Sequence, residues 1–82
     1  MRTVTLYSQP GCHLCDEARV VLERLRTRIP FELRERDINS DDGLQRAYLE
    51  RIPVVELVGE ELFQYFVDED ALGARLQGEP LE

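Results

Sequence analysis

Apolar residues recur along this chain with two different periods, and the switches between them mark the elements. Val4 and Leu6 alternate with Thr3, Thr5 and Tyr7, a period of two that predicts a strand over 3–7. Ser8-Gln9-Pro10-Gly11 then breaks it with turn residues. From Leu14 the period lengthens: Leu14, Ala18, Val21, Leu22, Leu25 and Ile29 recur at steps of three and four, one apolar stripe along a helix. Asp16 and Glu17 lead that helix and Arg24 and Arg26 trail it, as the helix dipole favours. Pro30 stops it, so it spans about 12–27.

Phe31 and Leu33 alternate with Glu32 and Arg34, but Glu35, Arg36 and Asp37 make the second half of that strand, 31–38, strongly polar. Such a strand suits a sheet edge. Asn39 or Ser40 is placed to cap a short helix over 42–50, with Leu44, Ala47, Tyr48 and the stem of Arg51 facing inward. After Ile52-Pro53, residues 54–58 read as a strand, Gly59-Glu60 as a tight turn and 61–66 as the returning strand. Asp68 is the expected N-cap of a last helix that runs to about 77, ended by Gly78 and Pro80. The order β-α-β-α-β-β-α combines a parallel pair with an antiparallel hairpin. The fold class is therefore α/β, a four-stranded mixed sheet flanked by three helices, in a single domain over 1–82.

Charge and composition narrow the function classes. The formal net charge is −7, which argues against nucleic acid as a partner. No apolar run reaches the ~20 residues that span a bilayer, so no membrane role is expected. The N-terminal stretch lacks an apolar signal core, and a cytoplasmic monomer is the simplest expectation.

The two cysteines and the one histidine all fall within Ser8–Cys15, at the switch from strand to helix. A disulfide closing over two intervening residues restrains the unfolded chain little, so the pair is poorly placed as a staple and well placed for chemistry. Residues three apart at a helix start share a face, with Cβ atoms about 5–6 Å apart, and a modest adjustment brings them within disulfide reach. Cys12, nearest the exposed helix start, faces unpaired backbone N–H groups that favour thiolate; it is the candidate nucleophile. Cys15, one turn in, is the candidate resolving thiol. Protonated His13 would support the thiolate, whereas Asp16 and Glu17 would oppose it. His13 itself reads as an exposed tuning residue rather than a metal ligand or general base. Two other classes are carried: a metal or iron–sulfur binder, although Cys12 and Cys15 supply two of the four ligands a closed zinc site wants, and a non-catalytic binding or adaptor module.

Tyr7-Ser8-Gln9-Pro10-Gly11-Cys12-His13-Leu14-Cys15 after a first strand, with Ile52-Pro53-Val54 before the hairpin, resembles the glutaredoxins and glutaredoxin-like thiol-disulfide oxidoreductases. The string from Cys12 to Ala18 is especially similar to a small bacterial glutaredoxin-like family. The resemblance implies a thioredoxin fold, a cis Ile52–Pro53 bond with Pro53 packed against the cysteines, and a substrate-binding set of Gly11, His13, Ile52, Pro53 and Asp68. It implies a dithiol–disulfide oxidoreductase in which Cys12 attacks and Cys15 resolves. No tightly bound cofactor is expected. Glutathione is the candidate co-substrate; a disulfide-bearing protein or a glutathione mixed disulfide is the candidate partner, with thioredoxin reductase as a candidate electron donor. The chain also departs from that pattern. His13-Leu14 replaces the usual Pro-Tyr. Phe66-Val67 stands where glutathione-binding relatives carry Gly-Gly, and these side chains would crowd a tripeptide. Asp68 and Glu69 then read as a helix cap, and Arg51 either as a contact for a substrate carboxylate or as a surface group.

Overall fold

The computed structural model describes residues 2–78. In chain order the elements are β1 (Thr3–Ser8), α1 (His13–Arg26), β2 (Glu32–Asp37), a 3-10 turn (Ile38–Ser40), α2 (Asp42–Tyr48), β3 (Val54–Leu57), β4 (Glu60–Gln64) and α3 (Glu69–Leu76). One sheet holds the strands in the order β2-β1-β3-β4. β1 pairs in parallel with β2 and antiparallel with β3, and β3 pairs antiparallel with β4. The polar strand β2 does lie at an edge. Among the described residues no helix is long and apolar enough to cross a membrane.

The period-two pattern divides the core between the two faces of the sheet. Val4 and Leu6 of β1 and Val55 and Leu57 of β3 face one side, where they pack with Ala18, Leu22 and Leu25 of α1 and Leu72 of α3. Tyr7 and Val54 face the other side and pack with Cys15, Ile38 and Ile52. Cys15 thus joins a cluster separate from the one that anchors its own helix.

Several local expectations are corrected. Leu14 opens the helical stripe but stays exposed, because only its successors reach the sheet. The cap of α2 is Asp41, whose carboxylate accepts the N–H groups of Gly43 at 2.7 Å and Leu44 at 3.2 Å. Asn39 and Ser40 are already committed to the 3-10 turn: Asn39 N–H donates to the Asp37 carboxylate, and the Ser40 hydroxyl donates to the Asp37 carbonyl. Ala47 is exposed, and α2 buries no residue fully. The hairpin turns at Val58-Gly59, with φ of +51° and +85°, rather than at Gly59-Glu60. Two positive φ values are the type I′ geometry that matches strand twist. β4 ends at Gln64, so Phe66 falls outside it. α3 begins at its expected cap: the Asp68 carboxylate accepts the Ala71 N–H at 3.1 Å. Gly78 follows it at φ +79°, and the expected stop at Pro80 lies outside the described residues.

Candidate active site

The strand-to-helix turn after β1 builds the site. Gly11 sits at φ +81°, where any side chain is strained, although a Cβ there would meet nothing within 4 Å. The glycine therefore serves the turn and not a close approach. The chain then enters α1 with Cys12 as N-cap, in extended conformation. Cys12 and Cys15 are joined as a disulfide, their Cα atoms 5.2 Å apart. The Cys12 Sγ also accepts the Cys15 N–H at 3.1 Å. Sulfur here occupies the position that a serine or aspartate oxygen takes in an ordinary cap. Cys12 is half-buried, whereas Cys15 has no exposed surface. An incoming sulfur therefore reaches Cys12 first.

Ile52 packs in the same cluster as Cys15, with Cys12, Leu44 and Tyr48 at its edge. Pro53 is fully buried between Ile52 and Val54, and the Ile52–Pro53 peptide is cis. The other expected site residues lie apart. His13 projects into solvent, its Nε2 3.1 Å from Glu17. The Asp68 carboxylate is used as the α3 cap. Glu69 is held by Arg24 at 2.8 Å and Arg28 at 2.6 Å, and the Arg24 guanidinium is the main reason its carboxyl lies below the usual range. Arg51 is occupied too: it lies over the Tyr48 ring, pairs with Glu61 at 2.7 Å and donates to the Ala47 carbonyl.

The acids of the first helical turn do not stand alone. Arg19 donates to Asp16 at 2.8 Å and, through two nitrogens, to Glu35 on β2. The buried Ser8 hydroxyl donates to the same Glu35 at 2.8 Å. Arg19 holds the Glu35 carboxyl below its ordinary range, and Glu35 and Asp16 together push the guanidinium up. This chain ties the end of β1 to the first turn of α1 and offsets the charge of Asp16 beside the thiols.

Sequence reasoning turned Tyr48 inward and placed Tyr7 on the first strand, but it gave neither a partner and gave Tyr65 no role. Tyr7 and Tyr48 stack with ring centroids 4.4 Å apart, and their hydroxyls donate to the two oxygens of Glu56 at 3.3 and 3.2 Å. Burial, then the Glu56 charge, raises both hydroxyl pKa values, that of Tyr48 to about 12. The one available sign was Glu56 itself, a carboxylate in a strand between Val55 and Leu57. The third is Tyr65, at φ +71°, whose N–H donates to the Pro53 carbonyl and whose hydroxyl donates to the Glu50 carbonyl.

Residues 3–77 match the family model described as Glutaredoxin-like domain (DUF836). The solution structure of protein Ne2328 from Nitrosomonas europaea is similar, with 38% identity over 90% of this chain and 89% of that one, at a TM-score of 0.79. The X-ray structure of protein XcR50 from X. campestris is 35% identical over 94% of this chain and 99% of that one, at a TM-score of 0.74. A mutant thioredoxin from Halobacterium salinarum, 23% identical over 99% of this chain and 78% of that one at a TM-score of 0.69, shares the fold. No curated protein matches the chain. The chain belongs to the glutaredoxin-like domain family and has the thioredoxin fold.

Proposed function

We propose that this member of the glutaredoxin-like family is a dithiol–disulfide oxidoreductase of the cytoplasm. The observation that carries the reading is the asymmetry of the pair: Cys12 accessible at a helix N-cap, Cys15 buried one turn in. In the reduced protein the Cys12 thiolate attacks one sulfur of a substrate disulfide. A new S–S bond forms, the substrate bond breaks, and the other substrate sulfur leaves as a thiolate. Cys15 then gives up its proton to water and attacks the Cys12 sulfur. The second substrate thiolate leaves, and the Cys12–Cys15 disulfide remains. Two electrons have passed to the substrate, and a cellular thiol or reductase returns them. Ile52 packs in the cluster that buries Cys15, and the buried cis Pro53 shapes the backbone that follows it, while Gly11 and His13 flank the attacking sulfur in the chain. Asp68, engaged as a cap, has no direct part.

The expected test is reduction of a disulfide-bonded peptide by the reduced protein. Cys12→Ser abolishes it; Cys15→Ser stalls at a mixed disulfide on Cys12, detectable by mass. A Cys12→Ser protein that still turns over would overturn the reading. The donor is identified by comparing reduction of the oxidised protein by glutathione and by thioredoxin reductase. The side chains of Phe66 and Val67 support a preference for the reductase.

A further inference from the structure

Three large apolar side chains that remain in water converge on one groove. Leu14, Tyr65 and Phe66 are 44, 48 and 72% exposed. They line a groove completed by Val21, Val67 and Glu17. Leu14 lies between the two cysteines, so the groove opens from the reactive motif itself. Scattered exposed apolar residues are ordinary, but a contiguous patch marks a partner surface.

The wall facing α1 is built rather than loose. Tyr65 adopts φ +71°, a region that non-glycine residues populate sparsely. Two hydrogen bonds hold it there, from its N–H to the Pro53 carbonyl and from its hydroxyl to the Glu50 carbonyl, at 2.8 and 2.7 Å. The next residue, Phe66, is thereby presented to solvent beside Leu14. The groove measures about 80 Å³, well under the ~300 Å³ at which small-molecule sites begin. That size suits the insertion of a single side chain. Its charged lining residue is Glu17, and among the described residues no arginine lines it. With Asp68 following Val67 and a net charge of −7, the approach favours a cationic segment and repels an anionic one such as glutathione.

We propose that this groove docks a polypeptide substrate by one aliphatic or aromatic side chain near the reacting cysteine, with a lysine or arginine beside it facing Glu17. The inference rests on the thiol–disulfide reading and names its substrate class. It is tested first without electron transfer. The intact protein is titrated by NMR with redox-inert peptides in which serine replaces the cysteine, flanked by Leu-Lys, Ser-Lys or Leu-Glu. The expected result is shifts centred on Leu14, Val21, Tyr65 and Phe66 with the Leu-Lys peptide. Loss of either flanking residue, or Phe66→Ser in the protein, should weaken binding about tenfold. Phe66 is exposed, so that variant keeps its fold, which the same spectra check. Shifts that are absent or centred elsewhere, or binding that ignores the flanking residues or Phe66→Ser, overturn the inference. The corresponding disulfide peptides then separate the two claims. Inert peptides that bind at the groove while their disulfides are not reduced would sustain docking and sink the oxidoreductase reading. Equal kcat/KM for glutathione disulfide and the Leu-Lys disulfide would sink docking and leave the chemistry intact.

Discussion

The sulfur of Cys12 accepts the backbone N–H of Cys15 at 3.1 Å, so the nucleophile candidate also caps the helix that carries its partner. When the disulfide opens, an anionic sulfur in that position keeps the cap and gains from the helix dipole, whereas a neutral thiol is the poorer acceptor. Reduction and thiolate formation are therefore coupled at one atom. The expected consequence is that iodoacetamide alkylates Cys12 with a half-point below the ~8.5 of a free thiol. Cys15 should stay unmodified in the folded protein. A Cys12 half-point at or above that value would show that the cap does not stabilise the anion.

Arg19 decides how much the neighbouring acids oppose that thiolate. It holds Asp16 at 2.8 Å and Glu35 beyond it, which offsets the negative charge of the first turn. Arg19→Gln should slow Cys12 alkylation at neutral pH by a few-fold, on the order of half a pKa unit. Adding Asp16→Asn should restore the rate. Failure of the double variant to recover would mean that Arg19 acts through the shape of the turn and not through charge.

The same network sets the acid limb of stability. Arg19 lowers the Glu35 carboxyl, and a carboxyl that is more acidic in the folded state contributes stability above its unfolded pKa. That contribution is lost as pH falls below about 4.5 and through the depressed folded value. Glu35 is half-exposed, so the effect is a modest change of slope. Urea midpoints measured from neutral pH into acid should fall less steeply for Glu35→Gln than for the unaltered protein. Equal slopes would remove Glu35 from the acid limb.

The stack of Tyr7 on Tyr48, beside the packing of Leu44, fastens α2, a helix with no fully buried residue of its own. Tyr48→Ala removes the ring contact, one hydrogen bond to Glu56 and the face under Arg51. The expected cost is ~1–3 kcal/mol, with faster amide exchange over Asp42–Tyr48 and little change in α1. Tyr48→Phe keeps the stack and removes the ionisation near pH 12. In the unaltered protein that raised value means stability declines as pH climbs from about 10, the unfolded value, toward 12; Tyr48→Phe should flatten the decline.

Why some of this was legible in the sequence and some was not follows from how far apart the interacting residues lie. The change of period at Cys12 is local, and with it came the strand, the helix, the exposed and buried cysteines and the element order. Capping is also local, yet Asp41 took the cap expected of Asn39 or Ser40 because a preceding 3-10 turn had used both. Leu14 fits the helical stripe by spacing; that nothing covers it depends on residues 65–67, fifty positions on. Tyr65 carried no sign at all, since left-handed backbone is announced in sequence by glycine or asparagine and here a tyrosine is held in it by two long-range hydrogen bonds. Thus the reacting atoms were readable from composition and spacing, while the surface that selects their partner was not.

A second left-handed residue, at the opposite end of the sheet from Cys12, separates stability from function. Val58 takes φ +51° as the first residue of the hairpin turn and is largely exposed, so its side chain contributes little packing in return for an unfavourable backbone. A β-branched residue fits that region poorly, whereas Asn-Gly is the pair that type I′ turns prefer. Val58→Asn keeps the backbone N–H that donates to the Thr3 carbonyl at 3.0 Å. It should stabilise the protein by ~1 kcal/mol, raising Tm by about 4–8 °C for a domain of this size. Cys12 alkylation should be unchanged, because the turn lies at the Thr3 end of β1 and the cysteines lie beyond its Ser8 end. An unaltered or lower Tm would mean that the turn tolerates valine without strain. A changed alkylation rate would instead mean that the hairpin transmits its geometry along β3 to Ile52 and the dithiol.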